Sequence, residues 1–129
     1  DCHVKRAIAR GFKQFVIIGS GLDCRALRLH DPAVQFFEFD QPSILEYKVS
    51  KLSTLNLPRY PSKLIPGDYL ELDFKAELQA AGFDAAAPAL FLWEGNTMYL
   101  PAAKSKDLLR SLFAAFPRAE VVMDGVTDA

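Results

Sequence analysis

The sequence predicts an α/β domain, with a mostly parallel sheet covered by helices on both faces. Three observations predict it. Short apolar runs rich in β-branched and aromatic residues alternate with stretches of helical periodicity. Two of those runs, Phe15-Val16-Ile17-Ile18 and Ala89-Leu90-Phe91-Leu92-Trp93, are apolar without alternation, as in strands buried on both faces. A glycine turn, Gly19-Ser20-Gly21-Leu22-Asp23, follows the first run, at the carboxyl end of a strand where open α/β sheets bind ligands.

The elements follow in order. Val4 to Phe12 reads as a helix, with Val4, Ile8 and Phe12 four apart on one face and Gly11 near its stop. Phe15–Ile18 is the first strand. After the glycine turn a short helix runs through Cys24 to Leu29, and Asp31-Pro32 breaks the chain. Gln35 to Asp40 is the second strand. Pro42 opens a helix to about Leu55, with Ile44, Leu45, Val49 and Leu52 expected inside. A proline-punctuated loop covers Leu57 to Pro61, and Ser62 to Ile65 is a short third strand ending near Pro66-Gly67-Asp68. Phe74 to Ala81 is a helix closed by Gly82. Ala89–Trp93 is the fourth strand. Lys104 to Phe116 is a helix with Leu108, Leu109, Leu112, Phe113 and Phe116 on one stripe, and Ala119 to Met123 is a fifth strand.

Composition narrows the function. A chain of 129 residues holds one domain, and a half-hydrophobic composition supports a packed core. The 15 basic and 16 acidic side chains leave no excess of positive charge to bind nucleic acid or an anionic membrane. No apolar run approaches the roughly 20 residues of a membrane span, and the basic start is not followed by an apolar signal region. Cys2 and Cys24 make no metal or disulfide framework and read as free thiols in a reducing cytosol. Asp1-Cys2-His3 cannot close a tetrahedral metal site alone and reads as helix surface. The chain begins without Met inside a helix and stops after an apolar strand. A partial domain, without some N-terminal helices and a C-terminal third, is therefore expected, with processing as the alternative.

An acidic or glycine-rich residue stands past each of the first four strands. Gly19-x-Gly21 lets the backbone bend sharply and approach a ligand, or is a plain tight turn. A dinucleotide site would want a third glycine where Cys24 stands. Asp23 suits a helix cap and repels a phosphate, so a cofactor without phosphates fits better. Asp40, about twenty residues on, can accept both hydroxyls of a ribose or cap the helix that Pro42 opens, and Glu38, on the same side of the strand, is the second choice. Asp68 can accept from an exocyclic amine or close a turn. Glu94, at the central strand's end, needs a cationic partner, which a ligand's amino group or sulfonium would provide.

Three blocks now coincide: Phe15-Val16-Ile17-Ile18-Gly19-Ser20-Gly21-Leu22-Asp23-Cys24-Arg25, Phe37-Glu38-Phe39-Asp40-Gln41-Pro42, and Phe91-Leu92-Trp93-Glu94-Gly95-Asn96-Thr97-Met98-Tyr99-Leu100-Pro101. In this order they resemble the leucine carboxyl methyltransferase family and its bacterial relatives. The resemblance implies a Rossmann-like class I methyltransferase sheet and S-adenosylmethionine as methyl donor. It carries cofactor roles to Gly19, Asp40, Asp68 with Tyr69, and Glu94, beside Gly21 and Asp23 from the turn. Asp68-Tyr69 departs from the family's usual Asp-Leu-Arg. The family's N-terminal arginine for the donor's carboxylate has only Arg6 and Arg10 as substitutes here, and the last two of the usual seven strands are not present.

Methyl transfer is an in-line displacement in which orientation accounts for much of the rate. A carboxylate acceptor needs no general base, whereas a hydroxyl does, and His3 and His30 lie far from the strand ends. Asn96 and Tyr99 could position the acceptor, with Tyr99 as core packing the alternative. The acceptor is expected to be a carboxylate or hydroxyl of a protein or small molecule. An unpaired fifth strand could also lead to self-association. The rivals are an NAD-linked oxidoreductase, for which no catalytic Tyr-Lys pair or His is found, and a non-catalytic remnant that keeps only the cofactor pocket.

Overall fold

The computed structural model describes residues 1–57 and 59–125; Pro58, in the expected loop, lies outside the described residues. The elements are α1 (Cys2–Ala9), β1 (Gln14–Ile18), α2 (Arg25–Arg28), β2 (Gln35–Asp40), α3 (Pro42–Leu52), β3 (Ser62–Pro66), α4 (Phe74–Ala80), β4 (Ala89–Trp93), α5 (Ala102–Ala115) and β5 (Ala119–Met123). Short 3-10 turns follow α3 at Ser53–Leu55 and β4 at Thr97–Tyr99.

All five strands are parallel, in the order β3-β2-β1-β4-β5. The chain steps outward from β1 to β2 and β3, then returns to lay β4 on the other side of β1. That reversal opens a crevice at the carboxyl ends of β1 and β4. The side-chain period of two divides the core. Val16, Ile18, Phe37, Phe39, Phe91 and Trp93 pack on one face with Phe74 and Leu78 of α4, Leu108 and Leu112 of α5, and Phe83 and Phe116. Phe15, Ile17, Phe36, Leu90 and Leu92 pack on the other with Val4 and Ala7 of α1 and Ala26 of α2. The predicted α/β sheet, with helices on both faces, is thus the observed one.

Several expectations need correction. α1 stops at Ala9 because Gly11 takes a φ of +91°; Phe12 is buried by the chain beyond the helix and not on its face. The inner stripe of α3 is Leu45, Lys48 and Leu52, whereas Ile44 and Val49 are exposed. Spacings of three and four select that stripe, and the residue breaking its apolar pattern is a buried lysine. α3 ends as an α-helix at Leu52 and reaches Leu55 only through its 3-10 turn. α5 begins at Ala102, since Pro101 serves as its N-cap. Phe113, expected on the inner stripe of α5, is half-exposed, because one residue past Leu112 rotates it off the sheet. α2 shortens to Arg25–Arg28, β3 extends to Pro66, and α4 ends at Ala80 with Gly82 at a φ of +95°. No helix among the described residues is long and apolar enough to cross a membrane, and no three or more of their His, Cys, Asp and Glu side chains cluster as metal ligands would.

Candidate functional site

The four strand-end segments are tied into one edge by hydrogen bonds. The N–H groups of Gly19 and Ser20 both donate to the Phe39 carbonyl, at 2.8 and 3.1 Å, which docks the glycine turn on the end of β2. The Gly67 N–H donates to the Asp40 carbonyl at 2.9 Å, which brings in the end of β3. From the loop after β4, the Asn96 amide donates to the carbonyls of Ile18 and Gly19 at 3.3 Å.

Asp40 is at the centre. Its Oδ2 accepts the Gly21 N–H at 2.6 Å, and its Oδ1 accepts the Gln41 N–H at 2.7 Å. A carboxylate has about four acceptor positions, so one remains on each oxygen. Two adjacent hydroxyls, as on a ribose, match that remainder. Gln41, not Asp40, stands at the N-cap of α3, so the capping alternative falls away. Gly21 has a φ of +49°, and a Cβ built on it would meet no protein atom within 4 Å. Its glycine therefore serves the backbone conformation and leaves open space beside Asp40. The hydroxyl of Ser20, a residue only 4% exposed, is buried without a partner at the same turn. An orphaned hydroxyl and a carboxylate with spare acceptor capacity fit a nucleoside bound here.

Gly19 serves a different need. It has a φ of +67°, and a Cβ would lie 2.2 Å from the Asn96 amide nitrogen. The close approach demanded there is that of Asn96. Asn96 itself was expected to hold an acceptor, but its side chain is committed within the protein: its Oδ1 accepts from the Trp93 indole and, at 3.0 Å, from the Tyr69 hydroxyl. Tyr69 stands edge-on to Trp93, and burial raises its phenol above the ordinary value, with Asp40 and Asp68 adding to the rise. It stays neutral and donates. Tyr99, the other acceptor candidate, is 81% exposed and packs in no core.

Asp68 is exposed, and its Oδ1 accepts the Leu70 N–H at 2.9 Å, closing the turn after β3. Asp23 accepts the Arg25 N–H at 2.7 Å, a turn bond just ahead of α2, whose N-cap is Cys24. Glu94 already has a cationic partner: Arg25 donates to it at 2.8 Å. That arginine reaches Glu94 from the far side of the glycine turn and went unpredicted, since α2 was read only as a short helix. Glu38 points the same way as Asp40 but is wholly buried and taken by Lys48 and Tyr60. Asp124 was also missed; it accepts the Gly95 N–H at 2.7 Å and pins the loop after β4. His3, His30 and Arg6 are exposed, and Arg10 pairs with Glu120 at 2.6 Å.

The edge thus carries Asp23, Asp40, Asp68 and Glu94 against one arginine. Such a field suits a cationic ligand and opposes a pyrophosphate. A cavity of about 640 Å³, lined by Leu27, His30, Arg59, Tyr60 and Lys63 among others, lies at the opposite ends of β2 and β3. The strand-end site is an open surface.

Comparison with known proteins agrees with this architecture. A methyltransferase structure from Thermobifida fusca superposes with a TM-score of 0.68 at 17% identity, over 94% of this chain and 48% of that one. The N,N-8-amino-8-demethyl-D-riboflavin dimethyltransferase of Streptomyces davawensis superposes with a TM-score of 0.62 at 17% identity, over 88% of this chain and 32% of that one. At such identities the likeness is one of fold. Sequence relatives are nearer. A Mycobacterium ulcerans protein named for S-adenosyl-L-methionine-dependent methyltransferase activity is 42% identical over 116 residues, 88% of this chain and 38% of the relative. A Mycobacterium tuberculosis protein with the same designation is 38% identical over 130 residues, 98% of this chain and 41% of the relative. The chain therefore spans about two fifths of the length of these relatives. The family model for leucine carboxyl methyltransferase matches residues 1–113, and it implies S-adenosylmethionine as cofactor. With that match over most of its length, the chain belongs to the leucine carboxyl methyltransferase family.

Proposed function

We propose that the carboxyl edge of this sheet binds S-adenosylmethionine and that the protein transfers its methyl group to an oxygen of a carboxylate or hydroxyl, on a protein or small molecule. The observation that carries this reading is Asp40: a strand-end carboxylate beside an open glycine turn, with one acceptor position free on each oxygen. The donor supplies a methyl group already activated on a sulfonium. This chain's residues bind and orient it. Asp40 takes the ribose hydroxyls, Gly21 leaves room for the sugar, Asp68 and Tyr69 border the base, and Glu94 with Asp23 faces the positive end. Glu94 does so while paired with Arg25, so the ligand's cation joins an existing ion pair.

We favour a carboxylate acceptor over a hydroxyl on the chemistry of the transfer, not on the field of this edge. A carboxylate needs no base, and its negative charge cancels the sulfonium's positive charge as the bond forms. The 129 residues act as the donor-binding part of a longer catalytic domain, whose remainder supplies most of the acceptor's walls. We assign contact with that acceptor to Tyr99, a reading supported by its exposure at 81%. We place the protein in the cytoplasm, in keeping with its two free cysteines. The open edge of β5 takes further strands or, failing them, a second copy of the chain.

The test is a transfer assay with methyl-labelled S-adenosylmethionine, run on a chain of the relatives' length. Peptides with free C-terminal carboxylates and small carboxylic acids serve as acceptors, with phenols as controls. Label released as methanol by mild base identifies a methyl ester. Base-stable label on the phenols would move the assignment to a hydroxyl, base-stable label on the peptides would contradict transfer to a carboxylate, and no transfer to any acceptor would contradict the activity.

A further inference from the structure

Three polar side chains lie beneath the glycine turn. Lys48 of α3 is 1% exposed and Glu38 of β2 is fully buried. The Lys48 ammonium donates to one Glu38 oxygen and to the Asp23 backbone carbonyl. The Tyr60 hydroxyl donates to the other Glu38 oxygen at 2.7 Å, and its ring centre lies 5.4 Å from the ammonium. An apolar residue at position 48 would complete the stripe of Leu45 and Leu52, and burying an ion pair there brings little stability over apolar packing. What the pair does bring is a grip on the Asp23 carbonyl.

That carbonyl ends the glycine turn. Within itself the turn has one bond, from the Asp23 N–H to the Ser20 carbonyl at 2.8 Å. Its remaining restraints come largely from β2. At one end Asp40 holds the Gly21 N–H; at the other, Glu38 holds the Asp23 carbonyl through Lys48. Glu38 and Asp40 are two residues apart on one strand, so they share a side and a spacing that the strand itself fixes. The turn is suspended between them.

We infer that Lys48, held by Glu38 and Tyr60, is a positioning residue for donor binding: it fixes the glycine turn so that the Gly21 N–H and the free acceptor positions of Asp40 meet the ribose in a single arrangement. The inference rests on the donor site proposed above. Lys48 and Glu38 cancel in charge, so replacing both leaves the field at the acidic edge unchanged. A change in affinity then reports geometry.

The experiment uses the full chain, the double variant E38L/K48M and the single variant K48R, with S-adenosylhomocysteine as calorimetric probe. The double variant replaces the pair with apolar groups of similar length, the exchange that buried ion pairs tolerate. It should fold with the wild-type circular dichroism and bind about tenfold or more weakly, the scale for losing a hydrogen bond to a charged group. K48R keeps both bonds and should bind within about threefold of wild type. Amide exchange should quicken at Gly21 and Arg25 in the double variant, with β1 and β4 unchanged, a response that general destabilisation would not localise. Should the double variant fail to fold, Tyr60→Phe, which removes the hydroxyl that donates to Glu38 at 2.7 Å and lies 3.3 Å from the Asp23 carbonyl, takes its place with the same expected direction. If wild type binds and the folded variant binds within about twofold of it, the positioning role is overturned and the donor site stands. If wild type itself does not bind, the donor site falls and this inference with it.

Discussion

Replacing Asp40 with alanine removes the group on which the nucleoside site turns. In the free protein its carboxylate accepts two backbone N–H bonds, at 2.6 and 2.7 Å, leaving two positions for ribose hydroxyls. Hydrogen bonds to a charged acceptor are worth about 1.5–3 kcal/mol each when shielded from water. Asp40 is only partly buried and its edge is open, so water competes for both. A total of about 1–3 kcal/mol follows, which weakens donor binding about 5- to 150-fold. Because the same change frees the Gly21 and Gln41 N–H groups, stability should also fall, by about 1 kcal/mol with water reaching them. Calorimetry with S-adenosylhomocysteine and with its analogue lacking both ribose hydroxyls separates the two effects. Wild type should prefer the intact ligand by the stated factor, and Asp40→Ala should bind both alike. A folded Asp40→Ala protein that keeps wild-type affinity, or still discriminates between the two ligands, would refute the assignment.

The other predictions are these. Gly21→Ala should fold, since its Cβ meets no protein atom, at a cost of about 1–2 kcal/mol for the left-handed backbone. Its affinity for S-adenosylhomocysteine should drop at least about tenfold, and unchanged affinity would show that the turn stays clear of the ligand. Asn96→Ala strips the buried Trp93 indole and the Tyr69 hydroxyl of their acceptor and should cost about 2–3 kcal/mol in urea denaturation; a loss under about 0.5 kcal/mol would mean that the cross-link is dispensable. Tyr60 and Tyr69 both have raised phenols, through burial first and nearby carboxylates second. In the unfolded chain they ionise near about pH 10, while in the folded protein they stay protonated. Their contribution is thus complete below about pH 10 and is lost as pH rises past it. Stability should fall between about pH 9.5 and 11, less steeply in Tyr60→Phe, and identical slopes would exclude Tyr60 as a source.

The central strands β1 and β4 were legible because they are buried on both faces. Ala89–Trp93 and Ala119–Met123 have the predicted bounds: the first is an unbroken apolar run between Pro88 and Glu94, the second an apolar stretch broken by Glu120 and closed by Asp124. The candidate site residues were legible as a group, because parallel topology sends every strand end to one edge. Side-chain partnerships were not. Nothing in the order of residues reveals that Asn96 reaches back to Gly19, or that Arg25 crosses the turn to Glu94, because such contacts depend on strand order and crossover. Lys48 carried a signal that went unused. It sits three after Leu45 and four before Leu52, inside an apolar stripe, while Glu38 interrupts an otherwise apolar strand. Two opposite charges, each on a buried face, are partners before any coordinates are known.

The central claim is that the carboxyl edge of this sheet holds the methyl donor. Amide chemical-shift mapping with S-adenosylhomocysteine tests it most directly, since a chain of 14.3 kDa gives well-resolved spectra. The account predicts saturable shifts at Gly19 to Asp23, Asp40 and Gln41, Asp68 and Tyr69, and Glu94 to Asn96, with the amides around His30, Arg59 and Lys63 unmoved. Shifts confined to that opposite cavity, or none at saturating ligand, would contradict it.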